Sequence, residues 1–251
     1  MTVGLIHSTR LVMPWVEKAL EPLRSSMDFL HALDESLIVE LKKGQGATEG
    51  ALRRIGFLCR SLEEAGADRL VLTCSSLSPA VDVLATELSI PLVKIDRPMV
   101  QAAVARRRPF VILATNPSTA DPLRLIVEAE SRRTGVPAEW RYVLLDRAFA
   151  ALNRGDSAAH DEEVVAACIR IAAEMGEDGL AAEPGNAILT KGRRGGAKNS
   201  GDFGGHAASQ DTRDILFAQI SMSRTLDALP GTVRRRVSTC LDHIRQLAGA
   251  E

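Results

Sequence analysis

The chain lacks several common signatures. It has no CxxC pair, no histidines at metal-ligand spacing, and no stretch near the ~20 apolar residues needed to cross a bilayer. Its four cysteines, Cys59, Cys74, Cys168 and Cys240, lie far apart, which argues against a disulfide framework or a structural zinc site. Aromatic residues are few, six Phe, two Trp and one Tyr in 251 residues, too few for a base-stacking platform. Neither sign of charge is in excess: 31 Lys and Arg oppose 32 Asp and Glu, so nothing favours nucleic acid or an anionic membrane as partner. Neither GxGxxG nor GxxxxGK[ST] occurs, and nucleotide binding has no motif behind it. The apolar run Thr2–His7 is short, has no basic leader and continues into Ser8-Thr9-Arg10, so it reads as a first strand rather than a secretory signal. The expectation is a cytoplasmic chain with reduced thiols, in which an isolated cysteine is available for chemistry.

What is present is an ordinary globular composition, 45% hydrophobic and 25% charged, which excludes global disorder. The length suits one large domain or two of about 100–150 residues. Short apolar, β-rich runs (Val3–Ile6, Leu70–Thr73, Pro91–Ile95, Phe110–Ala114, Trp140–Leu145 and Ile215–Ala218) alternate with segments of helical period. In Ala47–Ala65, Leu52, Ile55, Leu58, Cys59 and Leu62 fall on one face; in Asp161–Met175, Val164, Val165, Cys168, Ile169 and Ala172 do the same. Such alternation predicts βαβ units and an α/β fold with mostly parallel sheets, whose ligands sit at the carboxyl ends of strands. One segment breaks the pattern. Residues 179–213 are rich in Gly and small polar residues and read as an excursion from the fold or a basic flap carrying Lys191, Arg193, Arg194 and Lys198.

Four strand ends carry hydroxyls. In Leu70–Pro79 an apolar strand runs to Thr73, Cys74 stands on the turn, and Ser75, Ser76 and Ser78 lead to a helix opened by Pro79. At a helix N-terminus, free N–H groups and the dipole favour anions and lower a thiol pKa, so Cys74 is a candidate thiolate with Ser75 and Ser76 beside it to hold a carboxylate. The plainer alternative is a small residue capping a strand. Phe110–Thr119 repeats the arrangement with Thr115, Asn116, Ser118 and Thr119, where helix capping is the competing role. Ile215–Ser223 places Gln219, Ser221 and Met222 at a third strand end, and the first strand ends in His7, Ser8 and Thr9, with His7 either a base or a structural histidine. Four hydroxyl-rich strand ends point to one shared polar pocket.

In order and spacing, GLIHSTR (4–10), VLTCSSLSP (71–79), KIDRPM (94–99), VILATNPST (111–119) and FAQISM (217–222) resemble the aspartate/glutamate racemase superfamily, which includes hydantoin racemase, maleate isomerase and arylmalonate decarboxylase. The resemblance implies two similar three-layer α/β domains with an interdomain cleft: residues 1–97 plus 224–251 in the first, 98–223 in the second, with 179–213 an insertion. It implies a cytoplasmic enzyme without cofactor or metal, acting on a small carboxylate or amino acid, with a homodimer as one option. Two cysteines, one per domain, would face opposite sides of the substrate α-carbon, one taking the proton as thiolate and the other returning it. Cys74 matches the first of these. The second position is Gln219, which cannot exchange a proton at neutral pH. Ser8, Ser75, Ser76, Thr115, Asn116 and Thr119 would hold carboxylate oxygens, Gln219 and Ser221 would form the far wall, and His7 matches the position of a polar helper. With one cysteine the alternatives are a decarboxylase, lyase or cis–trans isomerase, a Cys74/His7 acid–base pair, or a carboxylate-binding protein without turnover.

Overall fold

The computed structural model describes residues 1–42, 47–176 and 213–247, and nearly all of the Gly-rich stretch 179–213 lies outside them. The apolar runs become strands of two sheets. The first sheet holds β1 (Thr2–His7), β2 (Asp28–Leu33), β3 (Arg69–Leu72) and β4 (Leu92–Lys94) in the order β2-β1-β3-β4. The second holds β5 (Phe110–Ala114), β6 (Trp140–Leu144), β7 (Ile215–Phe217) and β8 (Val237–Ser238) in the order β6-β5-β7-β8. Every pairing is parallel, and the two sheets share one strand order, as expected of two similar domains.

Helices cover both faces of each sheet: α1 (Met13–Leu20), α2 (Ser36–Lys42), α3 (Glu49–Glu64) and α4 (Pro79–Leu84) come before or between the strands of the first. α5 (Arg97–Ala105), α6 (Ala120–Thr134), α7 (Asp146–Asn153) and α8 (Ser157–Met175) serve the second. Period-two alternation sorts the strand side chains. Phe110, Ile112 and Ala114 turn to α5 and α6, whereas Val111 and Leu113 turn to α7 and α8. In the first sheet Ile6, Leu70 and Leu72 pack on α3 and α4, and Val3, Leu5 and Val71 pack on α1. Fully burying one such side chain contributes roughly 1.5–3 kcal/mol.

Both sequence-predicted helices form, each with a cap. Thr48 accepts the Ala51 N–H at 3.1 Å to open α3, and Asp156 accepts the Ala159 N–H at 3.0 Å to open α8. The apolar face of α8 is rotated from the predicted one. Val164, Ala167, Cys168, Ile171 and Met175 are buried, while Ile169 is 43% exposed, the buried stripe following the i, i+3, i+4 rows from Val164.

Asp96 ends the first domain, and α5 already packs on the second sheet through Met99, Val100, Ala103 and Val104. Past residue 214 the chain touches both domains. Ile220 packs with Val3, Leu5, Val16 and Leu20 of the first domain. β8 then pairs with β7, Ile215 to Val237 and Leu216 to Ser238, and Cys240, Ile244 and Leu247 pack on the first domain beside Ile220.

Candidate active site

Parallel strands bring their carboxyl ends to one edge of each sheet, and the hydroxyl-bearing turns lie there. Beyond β3, Cys74 has extended backbone, and Ser75–Leu77 then make a single 3-10 turn ahead of α4. Ser75, Ser76 and Ser78 are buried, and Cys74 just before them is partly exposed. The Ser8 side chain and the backbone at Ser76 and Leu77 act to favour its thiolate. These are the donors that the sequence predicts for a thiolate. Burial outweighs them, and the Asp96 carboxylate adds to it, so the Cys74 thiol is pushed up from its ordinary value. The expected lowering of this thiol is therefore corrected: Cys74 rests as S–H.

His7 is fully buried at the end of β1, and its ring is fully engaged. Nδ1 lies 2.9 Å from Thr73 Oγ1, and Nε2 lies 2.9 Å from His31 Nδ1. The Thr73 hydroxyl also donates to the Ile6 carbonyl at 3.0 Å. His31 Nε2 sits 2.7 Å from Glu17 Oε1, and burial holds the His31 pKa below its ordinary value. Burial, and next the neighbouring His31, lower the His7 pKa to about 4. No ring nitrogen is left for Cys74, so this His7 is a neutral brace between strand ends.

The second domain presents the mirrored turn. Thr115 is buried and Asn116 is half-buried; Asn116 Oδ1 accepts the Ser118 N–H at 3.0 Å and the Ser118 hydroxyl at 2.8 Å. The Ser76 hydroxyl meets Ser118 Oγ at 2.7 Å, joining the two turns across the domain boundary. With Ser118 donating to Asn116, Ser76 donates to Ser118. Gln219 stands past β7 with its amide engaged at both ends. Its Oε1 accepts from the Thr115 N–H at 3.0 Å and from Thr115 Oγ1 at 3.4 Å, and its Nε2 donates to Thr119 Oγ1 at 3.0 Å. Ser221 is half-buried on the 3-10 turn Ile220–Ala228, which packs against the Arg10–Val12 turn of the first domain.

Three participants escaped the sequence reading. Tyr142, on β6, places its hydroxyl 3.0 Å from Thr119 Oγ1 and donates to the Asn116 carbonyl at 3.2 Å, bracing the second turn. Its strand signal was clear, but nothing in sequence ties it to Thr119. His31 lies on an edge strand that the sequence did not flag. Asp96 lies inside KIDRPM, with no motif marking it as chemical. Among the described residues no group of three or more His, Cys, Asp or Glu side chains is placed to hold a metal ion, and no helix is long and apolar enough to cross a membrane.

Two parallel α/β units facing hydroxyl-rich strand ends, with one cysteine between them, define the class. The family model for Asp/Glu/hydantoin racemase matches residues 6–181, and the chain belongs to that family. Among solved structures, an aspartate racemase homologue from Pyrococcus horikoshii OT3 is similar with a TM-score of 0.61 at 15% identity, covering 99% of this chain and 97% of that one. The Picrophilus torridus aspartate racemase gives 0.60 at 12% identity, with 99% and 94% covered. Allantoin racemase from Klebsiella pneumoniae gives 0.60 at 16%, with 99% and 86% covered. At these identities the likeness is one of fold. No curated protein sequence matches the chain.

Proposed function

We propose that this protein is a cofactor-independent enzyme of racemase type that acts at the α-carbon of a small carboxylate or amino acid, with Cys74 as its acid/base group. One observation carries the reading: the partly exposed Cys74 stands at a strand end, where Ser8 and the backbone at Ser76 and Leu77 favour its thiolate, and the Ser76–Ser118 bond joins that end to the matching turn of the other domain. An α-proton next to a carboxylate is weakly acidic, and the barrier falls when donors receive the charge that spreads onto the carboxylate oxygens. Asn116 supports that role. Its oxygen is taken by Ser118, and its Nδ2 hydrogens have no partner among the described residues. Family membership supports the reaction type.

Gln219 favours a second reading, in which chemistry proceeds from one face only. A thiol here would serve the far side of the α-carbon, but this amide cannot exchange a proton and is bonded at both ends. Decarboxylation, elimination and cis–trans isomerisation need only one proton-exchanging group. The discriminating experiment incubates the protein with a panel of small carboxylic and amino acids in deuterated water and follows the α-carbon by NMR. Racemisation leaves deuterium in both configurations; one-sided chemistry leaves it in one. Cys74→Ala should abolish either signal. Deuterium that appears unchanged in Cys74→Ala, or calorimetric binding with no turnover of any acid, would overturn the enzymatic role of the thiol.

A further inference from the structure

Asp96 is a buried carboxylate, 1% exposed, that the proposed chemistry has not yet used. Its place follows from register. Leu72 on β3 pairs with Lys94 on β4, and Cys74 and Asp96 each stand two residues further on, so they occupy neighbouring strand ends at the same edge. The next helix, α5, begins at Arg97, but the Arg97 guanidinium is directed to Glu130 at 3.1 Å. Lys94, the nearest cation to act on Asp96, places its Nζ 2.6 Å from Asp82 Oδ2 on α4. Neither Asp96 oxygen is held in a hydrogen bond of good geometry. The Ser75 and Ser78 hydroxyls lie near enough to favour its charge, but Ser78 is committed to the Ser75 carbonyl at 2.8 Å. From the C-terminal turn, the buried Cys240 thiol faces the same carboxylate. Burial dominates, and Asp96 titrates at about 6, so it is charged at neutral pH with thiols for neighbours.

We propose that Asp96 is a positioning residue for Cys74: its buried carboxylate, on the adjacent strand end, adds to burial in keeping Cys74 in the S–H form, so that the site meets its substrate as a proton donor. This rests on Cys74 being the acid/base group and specifies its resting state. A negative charge at fixed close range opposes formation of a second one. Ser8 and the backbone at Ser76 and Leu77 then favour the thiolate that remains after the proton has left. In that step a substrate with two carboxylates on its α-carbon loses one as CO2, the pair of the broken C–C bond staying on the α-carbon; the S–H bond then breaks, the hydrogen forms the new C–H bond there, and the thiolate recovers its proton from solvent. A thiol poised in this way suits the one-sided chemistry that Gln219 favours.

The test needs no substrate, so it can fail independently of the functional assignment. Iodoacetamide reacts with thiolate, and Cys74 is the accessible target, since Cys59, Cys168 and Cys240 are buried. Its labelling, located by peptide mass spectrometry, is followed from pH 5 to 10 in wild type, Asp96→Asn and Asp96→Glu. The expected result is that Asp96→Asn labels about tenfold faster than wild type at pH 8, the profile moving down by about one pH unit. The two should converge below pH 6, where Asp96 itself takes a proton. Asp96→Glu, which restores a carboxylate, should return towards wild type. Superimposable profiles of wild type and Asp96→Asn would overturn the proposal, as would Asp96→Glu remaining with Asp96→Asn. If circular dichroism shows Asp96→Asn unfolded, Asp96→Ser is read by the same criterion.

Discussion

The Thr115 backbone N–H donates to Gln219 Oε1 at 3.0 Å, so a residue 104 positions further along the chain closes the strand end of β5. A backbone donor at such a strand end is suited to hold a carboxylate oxygen, and here a side chain of the protein itself has taken it. The amide occupies a donor that the strand end would otherwise offer, and on the proposed function it stands where a second thiol would serve the far side of the α-carbon. Gln219→Cys is therefore expected to do two things. The new thiol at the far wall should allow inversion, with deuterium in both configurations at least tenfold above wild type in the α-carbon experiment. The freed Thr115 N–H should destabilise the fold by about 1–2 kcal/mol, read as a shift in the urea midpoint.

How far the sequence revealed this arrangement depended on burial. All six predicted strands form, each from a short apolar run, with β6 only half-buried at a sheet edge. The two strands without a signal, β2 and β8, lie at sheet edges. Asp28–Leu33 is half-exposed along its length, and Val237–Ser238 is only two residues long. At the site, hydroxyl-rich turns after apolar runs pointed to Ser8, Cys74, Thr115 and Gln219. Ionisation was not legible. Helix-start chemistry around Cys74 reads as an acidic thiol, but only the fold shows the desolvation and the Asp96 carboxylate that push it the other way. Likewise His7 read as a candidate base, because its partner His31 comes from an unpredicted strand.

The domain junction offers a measurement of its own. Ser76 and Ser118 belong to different sheets, and their hydroxyls meet at 2.7 Å. A double-mutant cycle with Ser76→Ala and Ser118→Ala, followed by urea unfolding, should return a coupling of about 0.5–1.5 kcal/mol. Ser118→Ala alone should cost more than Ser76→Ala, since it also removes the hydroxyl bond to Asn116 Oδ1, which keeps only the backbone N–H of residue 118. A coupling near zero would mean that solvent replaces this bond and that the turns are held together by packing alone.

His7 predicts a pH dependence of stability. Its pKa is about 4 in the fold against 6.5 ordinarily. As pH falls below 6.5 the unfolded chain takes up a proton that the folded one refuses, so unfolding is favoured until the folded His7 also protonates near pH 4. The His7 contribution is complete above pH 6.5, declines between 6.5 and 4, and amounts to on the order of 3 kcal/mol over that window. His7→Gln, neutral at every pH, should flatten this part of the curve in urea titrations at pH 4.5 and 7. Equal slopes in the two proteins would show that His7 titrates normally and that the Thr73–His7–His31 chain does not hold it neutral.

Gly4 tests how tightly the frame beneath the site is built. It lies on β1, three residues before His7, where α3 crosses the sheet. A Cβ at this position would come 2.7 Å from Leu70 Cδ2 and within 3.2 Å of two Leu62 atoms. Leu70 is fully exposed to nothing but core, with 0% relative accessibility, and Leu62 is buried on α3, so neither side chain has solvent to turn into. Gly4→Ala should therefore destabilise by about 1–3 kcal/mol through overpacking, despite the better strand propensity of alanine. Thermal unfolding reads the cost, and Gly4→Ala combined with Leu70→Val, which removes one methylene, should recover part of it. If the double variant is instead less stable than Gly4→Ala alone, Leu70 is not the atom in the way and the strain lies with α3.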